Sequence, residues 1–365
     1  MTMNWKLVII GVLAGFMNVP LAARAAEGEE VNAIEIVMGH ISDSYEWHIT
    51  NIGERELTLH LPVIVRSKDG WHCFSSSRLH GGHEYQGLHI ASEGPYEGKI
   101  VERLPDGSEH RPLDLSITKT TAGLFVNSLV LVVLILGVAR WYRRHRSTSD
   151  APGGFVGIME MLITMLVDEV IEPCIGPNYR RFAPYLLTAF FFILINNLMG
   201  LIPVFPAGSN VTGNIAVTLV LAMATFLAVN LFGTKHYWKD VLWPDVPWWL
   251  KVPLPIMPFI EFIGLFTKPF ALMIRLFANI MAGHSVILIL TCIVFVTARM
   301  GAAVNGSMIV VSMLLSIFMN CLELLVAFLQ AYVFTMLSAV FIGLAQESPH
   351  AEEEHSSESN SDVNE

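Results

Sequence analysis

The stretch FALMIRLFANIMAGHSVILIL, Phe270–Leu290, has the composition of a membrane helix, yet Arg275 stands inside it and His284 comes later. Insertion into lipid penalises a central arginine by about 2.5–3.5 kcal/mol. A chain that keeps such a charge has a use for it, and the surrounding sequence supplies the setting.

From Phe182 to Thr234 there is no Asp, Glu, Lys or Arg. Over the whole chain hydrophobic residues make up 53% and charged residues 15%. A soluble core of that length would carry polar faces, so the chain is an integral membrane protein with lipid around it, and a nucleic-acid role is excluded. The formal net charge of -10 is no sign of a surface-binding role, because much of it sits in the C-terminal run QESPHAEEEHSSESNSDVNE. That run reads as a disordered acidic tail over 346–365. Cys73, Cys174, Cys292 and Cys321 match no metal or redox spacing. No cofactor pattern is present, and no G-x-x-x-x-G-K-[ST] phosphate loop occurs.

The N-terminus, MTMNWKLVIIGVLAGFMNVPLAARAAEGEE, has a short basic lead, an apolar run and an A-x-A site at Ala23 to Ala25. It predicts a signal peptide over 1–25; retention as a first anchor is the other reading, and in either case the next segment is exported. Residues 26–118 form that polar, histidine- and glycine-rich extension, read as partly β. ELTLHLPVIVRS alternates as strands do, and KDG turns it. His80, His83 and His89 cluster there and suggest a metal site, but the surrounding glycines and irregular spacing make that pattern a weak one.

The run TAGLFVNSLVLVVLILGVA, Thr121 to Ala139, is long enough to span and ends in RWYRRHR. A basic cluster directly after a span marks the cytoplasmic side, in agreement with an exported N-terminus. GGFVGIMEMLITMLVDEVIEP comes next, with apolar residues at helical spacing but with Glu160, Asp168 and Glu169 interrupting. This predicts an amphipathic helix lying on the cytoplasmic surface and stopped by Pro173. A hairpin of spans is expected near Pro184 to Pro203 and Gly213 to Gly233. Two long apolar segments, about Pro258 to Thr297 and Ala302 to Ala345, then exceed the ~20 residues of an upright span and must tilt or bend. The expected fold is therefore an all-α membrane domain over 119–345. It has about five membrane-inserted helices, two of them long and tilted, beside one surface helix and the exported extension.

Arg275 is the one formally charged residue between Pro269 and Ala298, and Glu323 is the one between Met300 and Gln346. Isolated ionisable groups in apolar helices point to function. Arginine stays protonated, so it cannot carry a proton through a cycle; it can attract anions and repel protons. Its partner should be a carboxylate that changes state. Glu261 lies fourteen residues earlier, about 21 Å along an ideal helix, too far for contact. Glu323 remains open as a partner, but a tight pair would neutralise both groups permanently. An acid on another subunit fits better. His284 and Glu323 can relay protons. Asn279, one turn beyond Arg275, and Gln330, two turns beyond Glu323, extend a polar track or bond between helices.

KPFALMIRLFANIMAGH, with ELLVAFLQAY in the next segment and LLTAFFFILINNLMGLIP earlier, resembles subunit a of the F-type ATP synthases, over about Thr118 to Ala345. The resemblance implies a proton-translocating, non-catalytic stator subunit of a bacterial inner membrane. Its partners would be a rotating ring of c subunits, each with one membrane carboxylate, and b-type peripheral stalk subunits. Two half-channels would serve the ring carboxylate, and Arg275 would be the arginine that prevents short-circuiting. Asn279, His284, Glu323 and Gln330 would line the entry half-channel, and Glu261 would stand near the cytoplasmic exit. Many relatives hold Glu where His284 stands and His where Glu323 stands, an exchange that keeps a His–Glu pair. Relatives often carry an extra Asn or Asp near Gly213–Ala216, and Ala216 departs from that. The rival classes are a self-contained proton-coupled transporter, which usually shows an internal repeat that is not evident here, and a purely structural anchor.

Overall fold

The computed structural model describes residues 43–52, 55–68, 70–92, 94–103, 108–145, 152–202, 211–242, 256–297 and 302–346. The expected signal peptide, residues 203–210 between the two expected spans of the hairpin, and residues 347–365 of the expected acidic tail lie outside the described residues.

The extension is built from short antiparallel strands. β1 (Glu46–Ile52) pairs with β2 (Arg55–His60). β3 (Pro62–Ser67) lies between β4 (Gly70–Ser75) and β8 (Leu113–Asp114), and β6 (Ile100–Arg103) between β5 (Leu88–Ile90) and β7 (Glu109–His110). The alternation in ELTLHLPVIVRS therefore becomes two strands rather than one. Leu61 separates them, and β3 and β4 pair antiparallel on either side of the expected KDG turn, with Ser67 opposite Gly70 and Gly70 at φ 129; Asp69 lies outside the described residues. Val63 and Val65 point inward with no exposure and meet Tyr45, Phe74, Leu79, Leu88 and Ile100. The Tyr45 hydroxyl donates to Asp114 and accepts from the Ile100 amide, so the buried phenol is satisfied on both sides.

The extension is tied to the first helix, α1 (Lys119–Arg144). The Thr120 amide donates to Asp43 Oδ1 at 3.0 Å, and the Lys119 amide to the Ser44 carbonyl at 2.8 Å. These bonds satisfy donors that a helix N-terminus leaves open. α1 outlasts its apolar run, and Arg140 to Arg144 of the basic cluster expected after the span form its end.

The remaining helices are α2 (Gly154–Leu166), α3 (Glu172–Ile175), α4 (Tyr179–Leu201), α5 (Ile215–Phe232), α6 (Lys235–Leu242), α7 (Ile256–Thr297) and α8 (Ala302–Gln346). Among the described residues, five helical runs are long and apolar enough to cross a membrane: Lys119–Arg144, Gly154–Leu201, Ile215–Phe232, Phe259–Val294 and Val304–Gln346. At 1.5 Å per residue, α7 and α8 reach about 60 Å or more, roughly twice the hydrocarbon thickness.

Pro173 behaves differently from the expectation. A π-helical turn, Val167–Ile171, carries α2 into α3, and Pro173 lies in the first turn of α3, where its missing N–H is harmless. The break comes at Gly176, whose φ of 72 suits glycine.

The chain divides into two compact units. One comprises Met1–Leu129, Leu198–Val211 and Gly283–Glu323; the other comprises Val130–Asn197, Thr212–Ala282 and Leu324–Glu365. In the second unit Val170, Ile171 and Ile175 pack with Phe182, Ala183 and Leu186 of α4 and Ala339 and Ile342 of α8. The amphipathic segment thus docks by its C-terminal part onto protein. Buried polar side chains bond within the same unit. Asn197 Nδ2 donates to the Ala327 carbonyl at 3.2 Å and Thr212 Oγ1 to Asn197 Oδ1 at 2.7 Å, while Tyr185 and Thr225 hydroxyls meet at 2.8 Å. Such bonds join helices where lipid offers no hydrophobic drive.

Gly343 allows the closest approach in this unit. A Cβ built on it would lie 1.9 Å from the Cys174 carbonyl oxygen, a backbone atom that cannot turn aside. Gly343→Ala should therefore destabilise the α3–α8 contact by about 1–3 kcal/mol or more. Thermal unfolding of the purified chain should fall by several degrees, whereas Gly264→Ala, with nothing within 4 Å of its Cβ, should leave it unchanged.

Candidate functional site

α7 carries Arg275, Asn279 and His284, and its two faces differ. Leu272, Met273, Leu276 and Ile280 are buried, whereas Ala271, Arg275, Ala278 and Ala282 are exposed. The exposed residues recur at steps of four, three and four, which puts them on one stripe. The guanidinium is therefore the one charged group on a stripe that carries three alanines, with Ile274 and Phe270 exposed beside it. Among the described residues Arg275 makes no ion pair. The large side chains next to it bury the opposite face, which turns the arginine outward.

Asn279 sits at the edge of that stripe, half-buried, and its Nδ2 donates to Gln330 Oε1 at 3.1 Å. Gln330 is 4% exposed and belongs to α8. The two amides expected to lie on a polar track are thus direct partners between α7 and α8 within the second unit.

In the other unit Glu323 is 6% exposed. Its carboxylate lies against the α7 backbone at Gly283: a Cβ there would stand 2.9 Å from Oε1 and 3.2 Å from Cδ. A side chain at this point would oblige the carboxylate end of Glu323 to shift. His284 is the next residue of α7, and its side chain lies outside the described residues. Glu261, half-buried near the start of α7, is felt by Tyr237 of α6: burial pushes the phenol above its ordinary range, and the Glu261 charge adds to the shift.

Asn214 caps α5 through a bond from the Ala216 amide to its Oδ1 at 3.0 Å, and Ala216 itself is exposed. The departure noted at Ala216 therefore falls in the first turn of α5. Asn197, Thr212, Thr225 and Ser338 are further buried polar groups of the second unit, which no charge or isolated titratable group marks in the sequence. Paired asparagines in the uncharged run after Phe182 were the available signal.

The ATP synthase A chain family matches residues 125–343. The chain belongs to the ATP synthase A chain family. A domain of unknown function (DUF8433) matches residues 36–116. "ATP synthase subunit a" of Chlorobium phaeobacteroides strain DSM 266 is 45% identical over 249 residues, 66% of this chain and 67% of the relative. "ATP synthase subunit a 2" of Prosthecochloris aestuarii is 42% identical over 289 residues, covering 75% and 84%. A subunit a from Anaeromyxobacter sp. strain Fw109-5 is 35% identical over 348 residues, 92% of this chain and 76% of the relative. Membership makes the chain a proton-conducting, non-catalytic membrane subunit of a bacterial ATP synthase.

The Gly283–Glu323 contact gives a direct test. Gly283→Ala must displace the Glu323 carboxylate, and proton conductance of reconstituted membrane sectors should drop several-fold with assembly intact. Gly306→Ala, whose Cβ meets nothing within 4 Å, should conduct like wild type.

Proposed function

We propose that this chain is the stator subunit that loads and unloads protons on a rotating c-ring, with Arg275 as the barrier between two half-channels. The observation that carries the reading is the exposed alanine face around Arg275, with no ion pair to the arginine among the described residues. Small residues let another helix come close, and a cation left open on such a face suits an approaching carboxylate.

The mechanism is electrostatic. A protonated ring carboxylate can face lipid, whereas the ionised form persists only beside Arg275 or in water. Separating that pair in a low-dielectric medium is costly, so the ring advances only after the acid has been reloaded from one side and emptied to the other. Arg275 remains charged throughout and repels any proton that would cross directly. Asn279, His284, Glu323 and Gln330 form the entry path in this reading, and Glu261 stands at the exit. Glu323 is buried against the α7 backbone, next in sequence to His284 on that helix, a placement that suits a carboxyl group in a relay. The Asn279–Gln330 bond holds two polar groups in an apolar setting, where water or a proton relay can follow them.

The extension faces the periplasm and the C-terminus the cytoplasm, on the strength of the basic cluster Arg140–Arg146 after α1. Docking to b-type stalk subunits would hold the chain still against the ring. A self-contained transporter is the competing class, and solute-coupled proton flux by the isolated chain in liposomes would favour it.

Arg275→Ala and Arg275→Lys should each abolish coupled ATP synthesis in membrane vesicles while the complex still assembles. Arg275→Ala should also raise the passive proton leak. Synthesis retained at near wild-type rate by either variant would overturn the reading.

A further inference from the structure

One cluster of side chains in the extension has no part in proton transfer. Glu46 and His60 are directly opposed in the β1–β2 register, with Glu46 Oε1 3.8 Å from His60 Nε2. His80 arrives from a different part of the chain, the 3-10 turn His80–Gly82 after β4. Its Nδ1 lies 3.0 and 2.9 Å from the two Glu46 oxygens. The imidazoles of His60 and His80 stand edge to face, 5.9 Å between centroids. One ligand atom from each residue falls within 4.8 Å of the others.

The local fold holds this convergence in place. Leu79 is 1% exposed and anchors the turn in the core of the extension. Gly81 and Gly82, at φ 72 and 80, permit the tight path that aims His80 back at β1. His60 and Glu46 are fixed across a strand pair, where side chains in register share one face. Of the histidines singled out by spacing, only His80 takes part. His83 is exposed, and His89 meets Glu109 at 3.3 Å.

We propose that Glu46, His60 and His80 form a binding site for a divalent transition-metal ion of the zinc class. Two imidazole nitrogens and a carboxylate oxygen are donors such an ion accepts, at about 2.0–2.2 Å each. Tetrahedral bonds of that length put neighbouring donors about 3.3–3.5 Å apart, and the observed separations of 2.9 and 3.8 Å lie on either side. Small side-chain rotations close the difference. The side chains are 23%, 32% and 57% exposed for Glu46, His60 and His80, so water can fill the fourth position. A bound ion would clip the β1–β2 pair to the turn after β4, joining parts of the extension that backbone ladders do not join.

The test uses the full chain, purified without a histidine tag and freed of metal with a chelator. Zn²⁺ and Co²⁺ are then titrated, reading metal bound per chain and the visible absorption of Co²⁺. Wild type should hold one equivalent more than Glu46→Gln, His60→Ala or His80→Ala, whereas His83→Ala and His89→Ala should keep it. Equal stoichiometry and equal Co²⁺ spectra in all six proteins would overturn the proposal and leave a carboxylate–imidazole hydrogen bond in its place. A second measurement needs no variant. Zn²⁺ should slow amide hydrogen exchange in β1, β2 and residues 79–82 of the wild type, and chelation should reverse it. Unchanged exchange would equally overturn the assignment.

Discussion

A guanidinium that cannot lose its proton, carried on a helix surrounded by lipid, must meet an anion or water. In the proposed mechanism the membrane domain answers that requirement. Arg275 is turned outward because Leu272, Leu276 and Ile280 hold the other side of α7 in the protein. Alanines at 271, 278 and 282 lie on its stripe, and Ile274 is exposed beside it. The chain thus presents a cation and lacks a permanent counter-ion for it among the described residues. This arrangement suits a counter-ion that arrives and leaves.

The polar groups near that helix are handled in the opposite way. Asn279 is satisfied by Gln330, Asn197 by Ala327 and Thr212, and Thr225 by Tyr185. An unpartnered polar atom in an apolar interior is costly, so these bonds lock helix to helix. Glycine works alongside them. Gly283 admits the Glu323 carboxylate to the backbone of α7, and Gly343 admits the Cys174 carbonyl to α8. Close contacts join the helices, and in the proposed function the face left open is the working part.

Much of this was legible in the sequence because the decisive signals are local. One arginine and one glutamate in otherwise apolar stretches single out α7 and α8 as the candidate site helices. Hydrophobic length alone marks the five candidate spans, and alternation with a KDG turn marks β2 to β4. What escaped depends on contacts between distant residues. Pro173 looked like a stop, but after a π-turn it opens a new helix, and the break falls at Gly176. The His80–His83–His89 spacing gave only a weak ligand pattern, because the residues that meet His80, Glu46 and His60, are brought in by strand register. Gly343 could not be told from any other helical glycine until the carbonyl packed on it was known.

Cysteine crosslinking in the assembled complex, with the four native cysteines replaced, tests the central claim most directly. Ala278→Cys and Ala282→Cys should each form a disulfide with a cysteine placed beside the carboxylate of a ring helix, and buried Ile280→Cys should form none. Failure at both alanine positions in an intact complex, or equal crosslinking from position 280, would contradict the account.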